Sequence, residues 1–591
     1  MFKLLLNFTW KEWLLILLSG GFIVAGVWMD LALPEYLADM TLIVTGMSEG
    51  TMGDIWRLGG IMMAFATGSI ITSLAVAWIG AIVSSSQSAR IRKDVFNRVG
   101  DFSATEMQRF SVPSLITRST NDVTQVRIFV AMAIQVLFRA PVVAIWAISR
   151  IMNTSWELSL VTFIAVALMV ALVTIVVLIA FPKFNKIQKL TDKLNQVTRE
   201  NLSGIRVVRA YDANDFEQEK FERANREHAQ NNLVVNRAMA TFWPFLYFLL
   251  SGLSVAIYWV GSWILYSGRN PDPAFLGQVV VFSQFSTMII FAFMMLIMVL
   301  IWFPRTLVSA KRIQDVLSTN STITDGKDKE PEIINFDVKF DSINFKYPGA
   351  EKNVLENINF EIAQGTTVAF IGGTGCGKST IVNLLPRIYD PTGGTIEIGG
   401  QNTREMKLSC LANLVGYVPQ TATIFGGTVR DNIAFGDIKS DDGTLKPMND
   451  EEIEWALKTA QAWDFVSELE GGLDSDLAQT GKNLSGGQKQ RIGIARVLAR
   501  RPKIIIFDDT FSALDYRTDK NLRASLKREL RDTTIIMVAQ RIGTIKDADH
   551  IFVVDKGKIV GRGRHDDLMK SCDVYKEIAL SQLSKEELDG K

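Results

Sequence analysis

Cysteine is scarce in this chain. Cys376, Cys410 and Cys572 are the only three in 591 residues. They are too few and too scattered for a disulfide framework, they form no metal-ligand spacing, and they suit a reducing compartment. Net charge is also missing. Lys plus Arg total 63 against 62 for Asp plus Glu, leaving +1, so there is no bulk electrostatic case for a nucleic-acid partner. The N-terminus, Met1-Phe-Lys-Leu-Leu-Leu-Asn, lacks the small-residue cleavage site of a secretory signal, and the apolar run after it is long enough to stay in a membrane. Residues 1–11 are expected to be a short amphipathic lead-in at the cytoplasmic surface.

What is present in excess is apolar sequence. Hydrophobic residues make up 48% of the chain. They concentrate before Pro304 in runs that exceed the ~20 residues needed to cross a bilayer. Six spans are expected, at roughly 12–36, 56–85, 129–152, 156–182, 238–267 and 276–304, with Gly20, Gly21, Gly59, Gly60 and Gly252 suited to close helix packing. Orientation follows from Lys and Arg. The segment 86–128 carries Arg90, Arg92, Lys93, Arg98, Arg109, Arg118 and Arg127, and 183–237 is more basic still. By contrast, 37–55 has neither residue and 268–275 has only Arg269. The two basic segments and both ends of this half are therefore expected inside the cell, with the short turn near Asn153 outside, despite Arg150.

The basic segments have helical periodicity, with Ile187, Leu190, Leu194 and Val197 on one face. The spans should run on into the cytoplasm, with breaks near 104–110 and 211–216. Within the lipid stretch, Asp30, Arg139 and Gln284 are expensive residues. Each could face a water-filled path, pair between helices or meet a lipid headgroup near the span's end. Trp243, Phe245, Phe291, Met294, Met295 and Met298 could line an adaptable apolar pocket or face lipid and neighbouring helices. The expected division is a membrane domain over 1–304, a linker over 305–335, a nucleotide-binding α/β domain over 336–575 and a tail over 576–591.

The second half turns on a phosphate-binding loop. The apolar run 366–371 reads as a buried strand, and 381–385 continues a helix. Between them stand Gly372, Gly373, Thr374, Gly375, Cys376, Gly377, Lys378, Ser379 and Thr380, the strand–loop–helix setting of G-x-x-x-x-G-K-[ST]. Glycines let backbone N–H groups curl toward phosphate oxygens, and the helix start adds a positive dipole end. Lys378 is expected at the β- and γ-phosphates of ATP and Ser379 on Mg²⁺. Asp508, ending the strand 503–508, can hold Mg²⁺ through water. Gln420, ending 415–420, could add an oxygen to the metal shell. Tyr347 could stack on adenine. Ser485, Gly486, Gly487 and Gln488 open a second helix whose N-terminus also suits an anion. Two such ends so far apart suggest that they serve different nucleotides.

Residues 372–380, 484–488, 504–508 and 512–515 resemble the Walker A, signature, Walker B and D-loop of ATP-binding cassette proteins. The resemblance extends over nearly the whole chain. It implies a half-transporter of the exporter type: a membrane all-α domain of six helices with long cytoplasmic extensions, fused to an α/β P-loop ATPase. Gln420 matches the Q-loop and Tyr347 the A-loop, and the tips near 104–110 and 211–221 match coupling helices. The resemblance also implies head-to-tail pairing, in which each ATP lies between one Walker A and the other domain's signature.

Two positions depart from that pattern. Asp509 stands where Glu polarises the attacking water. Its carboxylate falls short by one methylene, and a misplacement of about 1 Å can cost roughly 10²-fold. Gln540 stands where His is usual. It can hydrogen-bond a γ-phosphate but cannot titrate near neutral pH. This site is therefore expected to bind MgATP and hydrolyse it slowly or not at all, while the intact signature serves a partner. The expected assembly is a heterodimer with a second, different half-transporter, resembling bacterial multidrug exporters with one degenerate site and moving amphipathic compounds across the plasma membrane. The alternatives are a lipid or peptide translocator on the same fold, and a nucleotide-gated membrane regulator that transports nothing.

Overall fold

The computed structural model describes residues 2–152, 155–267, 269, 275–326, 335–436, 438–439, 445–446 and 448–582. The turn at 153–154, most of the connection after 267, residues 327–334 of the expected linker and the tail from 583 lie outside them. The chain divides into two compact units. One comprises Met1–Arg98 with Pro113–Thr319, and the other Val99–Val112 with Asn320–Lys591.

Among the described residues, the first unit contains six helices long and apolar enough to span a membrane: Trp10–Val44, Met52–Gly100, Val112–Met152, Trp156–Val176, Asn214–Tyr266 and Phe275–Ser318. Helix is the form that satisfies every backbone N–H and C=O internally where no water is at hand. The helices outrun the apolar segments, as the basic periodicity suggests: the fourth continues from Trp156 to Ser203 without a break. Pro34, Pro182, Pro244 and Pro304 all lie inside helices.

The third span is not uniform. Two π-helical turns, Arg118–Asp122 and Ala133–Leu137, interrupt it, and Arg139–Met152 completes it. Its core faces Ile23, Val27, Val76, Leu158, Ile257, Phe282 and Ile289 from the other spans. Small residues do permit close approach, but not the expected ones. A Cβ on Gly26 would lie 2.7 Å from Thr72 Oγ1, and one on Gly261 would lie 2.7 Å from Val279. Gly20, Gly21, Gly59, Gly60 and Gly252 meet nothing within 4 Å in this chain. At the N-terminus Leu4 and Leu5 are buried, and Gln87 Nε2 donates to both of their carbonyls.

The second unit holds two main sheets. One is antiparallel and orders Leu355–Ile362, Val338–Phe345, Gly393–Ile398 and Gln401–Asn402. The other runs Lys558–Gly563, His550–Asp555, Thr367–Ile371, Thr534–Val538, Ile504–Asp508 and Val415–Val418. All its neighbouring strands are parallel except the first pair. Parallel strands are covered on both faces, which is why they read as unbroken apolar runs. Ile504, Ile505, Ile506 and Phe507 are fully buried. Cutting Ile506 to Ala should cost about 2–5 kcal/mol.

One boundary differs from the sequence reading. The helix Asp573–Gln582 crosses the division expected at 575/576, because Tyr575 and Ala579 on its inner face pack into one core with Ile542, Ile551 and Leu568. The segment 104–110, where a break in the long helix was expected, is a separate short helix with its own cap. Ser103 accepts from Thr105 N, and Glu106 reaches back to Ser103 N. It groups with the second unit, where Gln108 Nε2 donates to the Tyr389 hydroxyl at 2.9 Å. The second tip is a turn at 211–213 between Ile205–Ala210 and Asn214–Tyr266, with Tyr211 and Phe216 exposed.

Candidate functional site

The parallel register sets the site. Asp508 pairs with Val538, Val538 with Phe370, and Phe507 with Val418. The carboxyl ends of four strands therefore finish together, the edge at which open α/β sheets bind ligands. The loop after Ile371 curls tightly there. A Cβ on Gly372 would fall 2.0 Å from Val554 O, and one on Gly377, at φ +106°, would fall 2.7 Å from Leu355. Around Gly373 and Gly375 there is open space instead. These residues form a cradle that side chains would fill, as a phosphate group requires. The helix Lys378–Leu384 starts at its rim, and Lys378 Nζ bonds Gly372 O and Gly373 O, each at 2.8 Å. The ammonium is thus held over the loop. Thr374 and Cys376 complete the turn, with Cys376 N bonded to Gly373 O.

The oxygen ligands expected for Mg²⁺ are partly assembled. Ser379 Oγ donates to Asp508 Oδ1 at 2.7 Å, so a hydroxyl and a carboxylate from different elements already touch. Both are hard oxygen donors, and two of them with phosphate and water oxygens suit Mg²⁺. Among the described residues no group of three or more His, Cys, Asp or Glu side chains could hold a metal. Gln420 is not bonded to this pair: its Nε2 donates to Asp509 Oδ2 at 3.0 Å, which leaves its amide oxygen for the expected metal role.

Asp509 takes the left-handed conformation, φ +47°, which a short polar side chain tolerates. The chain leaves the strand there, and the two consecutive carboxylates diverge. Asp508 turns to Ser379 and Tyr417, whereas Asp509 turns to Gln420 and Gln540. Gln540 Nε2 lies 2.8 Å from Asp509 Oδ2. Burial pushes the Asp509 carboxyl above the usual range. The amide of Gln420 opposes this and the charge of Asp508 adds to it.

Tyr347 stands edge-on to Tyr389, ring centres 5.4 Å apart, with its hydroxyl 3.0 Å from Thr380 Oγ1. The proposed adenine residue, the phosphate loop, Tyr389 and Gln108 therefore form one connected set. Ser485 caps the helix Gly486–Ala499. Its Oγ accepts from Gln488 N, and Gln488 Oε1 accepts from Ser485 N. Gly486 faces open space, and a Cβ on Gly487 would meet Ala513 O at 3.4 Å. These bonds are all local. They share no partner with those of Lys378, Ser379 or Thr380. The signature helix is instead tied to the Gln420 loop, where Gln490 donates to Pro419 O and accepts from Ala422 N.

Three participants escaped the sequence reading: Tyr417, Tyr389 and Gln490. Tyr417 is the most consequential, because its hydroxyl donates to Asp508 Oδ2 at 3.0 Å. Burial, then Asp508, pushes that phenol well above its usual range, so it remains a donor. The only available signal was a polar-tipped aromatic inside an apolar strand. Its neighbour is set by parallel pairing, which the local sequence does not show.

Comparison with known proteins agrees with this geometry. Residues 16–293 match the ABC transporter transmembrane region, and residues 355–512 match the ABC transporter family model. The chain is 35% identical over 557 residues to an uncharacterized ABC transporter ATP-binding protein of Mycobacterium tuberculosis (strain CDC 1551 / Oshkosh), covering 94% of this chain and 93% of that protein. It is 30% identical over 575 residues to the uncharacterized ABC transporter ATP-binding protein YfiB of Bacillus subtilis (strain 168), covering 95% and 97%. Its fold is similar to that of a bacterial Atm1-family ABC exporter with ATP bound, at a TM-score of 0.77, 23% identity and coverage of 97% and 98%.

Proposed function

The chain belongs to the ABC transporter family, with its transmembrane and ATP-binding regions fused in one multi-pass polypeptide, and on that premise we propose that it is one half of a heterodimeric exporter whose own Walker site holds ATP rather than turning it over. One observation carries this reading. The carboxylate placed to polarise water, Asp509, is bonded through one oxygen to the amides of both Gln420 and Gln540. A general base must reach the proton it takes. This one is shorter than Glu, faces two amide donors, and has no titratable side chain at position 540.

The remaining residues suit binding. Lys378 and the N–H groups of 372–380 would hold the phosphates, Ser379 and Asp508 would hold Mg²⁺, and Tyr347 would meet the adenine. Bound there, Mg²⁺ would neutralise phosphate charge. Ser485–Gln488 keeps its helix cap and its glycines, so it would complete the site of a second, different half-transporter. The distribution of Lys and Arg supports a cytoplasmic ATPase domain. The apolar, Met-rich spans support an amphipathic cargo.

The test is to tag the chain in its own membrane, recover what co-purifies, and measure ATPase activity. The reading expects a different half-transporter in equal amount, and turnover that vanishes when the partner's catalytic carboxylate is replaced. A homodimer of this chain alone with ordinary exporter turnover would overturn it.

A further inference from the structure

Arg139 lies in the third span and Asp30 in the first. Arg139 Nη2 is 2.7 Å from Asp30 Oδ2, and Arg139 Nη1 donates to Ser73 Oγ at 3.2 Å. Ser69 Oγ donates to the other oxygen of Asp30 at 2.5 Å. The pair is not sealed away. The side chains retain 35% and 25% of their exposure. A guanidinium offers five N–H groups and two are used here, so three point to no protein acceptor among the described residues. No Arg139 nitrogen is both buried and unpartnered, so these N–H groups face open space that a ligand can enter.

Two cavities meet at this guanidinium. The smaller, about 120 Å³, lies beside Ser73 and Gln135. The larger, about 200 Å³, is walled by Val143, Met288, Phe291 and Met295. Arg139 lines both, whereas Asp30 lines only the larger. The π-helical turn Ala133–Leu137 ends two residues before Arg139. Such turns are frequent at functional sites, because the extra residue re-aims the side chains that follow. Asp30 is held by Ser69 through the oxygen that Arg139 does not use.

We propose that Arg139 is the head-group anchor of a binding site for amphipathic acids. The carboxylate, sulfonate or phosphate of the ligand takes the free N–H groups of Arg139, and its apolar body lies on Met288, Phe291 and Met295. This deepens the exporter reading, on which it rests, by assigning the sign of the charge carried by the cargo.

The test uses the full chain with its partner, in phosphatidylcholine nanodiscs without nucleotide, so that a failure of ATPase activity cannot be mistaken for a failure of this site. Radiolabelled taurocholate is the acidic probe, and ethidium is the cationic control. Taurocholate should bind the unchanged protein, and Arg139→Gln should weaken it by roughly 10–10²-fold, the weight of a charge-assisted bond. Ethidium binding should be little changed. The exchange pair Asp30→Arg with Arg139→Asp restores the attraction between helices, and its thermal melting shows that it folds. Position 30 lines the same larger cavity, so the exchanged guanidinium should recover part of the taurocholate binding that Arg139→Gln loses. Replacing part of the lipid by phosphatidylglycerol should displace taurocholate if the natural occupant is a lipid head group, and should leave it bound if the occupant is a free acid; both outcomes support the site. Normal taurocholate binding by Arg139→Gln, no recovery in the folded exchange pair, or no binding by the unchanged protein in either lipid, would overturn the proposal.

Discussion

Gln540 Nε2 donates to Asp509 Oδ2 across 2.8 Å, so the two positions at which this chain departs from the family pattern are bonded to each other. Gln420 donates to the same oxygen. The departures form one arrangement rather than two independent losses. A short carboxylate suits a side chain that brings an amide to it, and both amides load the same Asp509 oxygen.

Restoring both members should therefore do more than restoring either. Asp509→Glu with Gln540→His should raise turnover at this site by about 10–10²-fold, the scale of a carboxylate about 1 Å out of place. Asp509→Glu alone should recover less, because the longer carboxylate still meets Gln540. Steady-state ATPase of the assembled pair, with the partner's own catalytic carboxylate replaced, reads both variants.

The signature should act at a distance from its own Walker loop. Ser485→Ala with Gly487→Glu removes the helix cap and places a carboxylate where phosphate is expected. ATPase activity of the pair should fall to background, while photolabelling of this chain's Lys378 site by an ATP analogue should persist. Unchanged turnover would show that Ser485–Gln488 serves no catalytic site.

Tyr417 should matter through the metal. Tyr417→Phe deletes the donor that fixes Asp508 Oδ2 and leaves its ring in place. Partners of this kind tune affinity by roughly 10–100-fold. The Mg²⁺ concentration needed for half-maximal retention of ATP should rise by about tenfold, while binding of ATP in EDTA should be unaffected.

Acid should reveal the state of Asp509. Its folded carboxyl is more basic than in the unfolded chain, mainly through burial. The folded form therefore binds the proton more tightly. Ionisation at Asp509 opposes folding fully above the raised value, and this penalty disappears below the unfolded value of about 3.9. Asp509→Asn, which keeps the neutral shape, should melt at a higher temperature than the unchanged chain at pH 7. The difference should vanish near pH 4.

Much of the nucleotide site could be read from short stretches. Residues 372–380 and 485–488 carry their chemistry locally, because loop curvature and helix capping depend on neighbours only a few positions away. The buried strands were legible for a similar reason: parallel strands covered on both faces must be apolar throughout. The spans were visible because lipid demands long apolar helices. Glycine packing was not visible, since Gly26 and Gly261 are distinguished from Gly20 and Gly252 only by what another helix brings near them.

Sequence by itself determined that six apolar helices precede an ATP-binding cassette, and that Asp509 and Gln540 depart from its pattern. The apolar helices follow from local composition and spacing; the cassette and the two departures come from the resemblance of its motifs to a known family. Only the tertiary structure decided that Asp509 bonds Gln540 and Gln420, that Tyr417 reaches Asp508, and that Arg139 shares Asp30 with Ser69 between two cavities. Each of these joins residues tens of positions apart or more. Such contacts depend on the register of parallel strands and the packing of helices, which are settled by burial over the whole unit and leave no mark in any one segment.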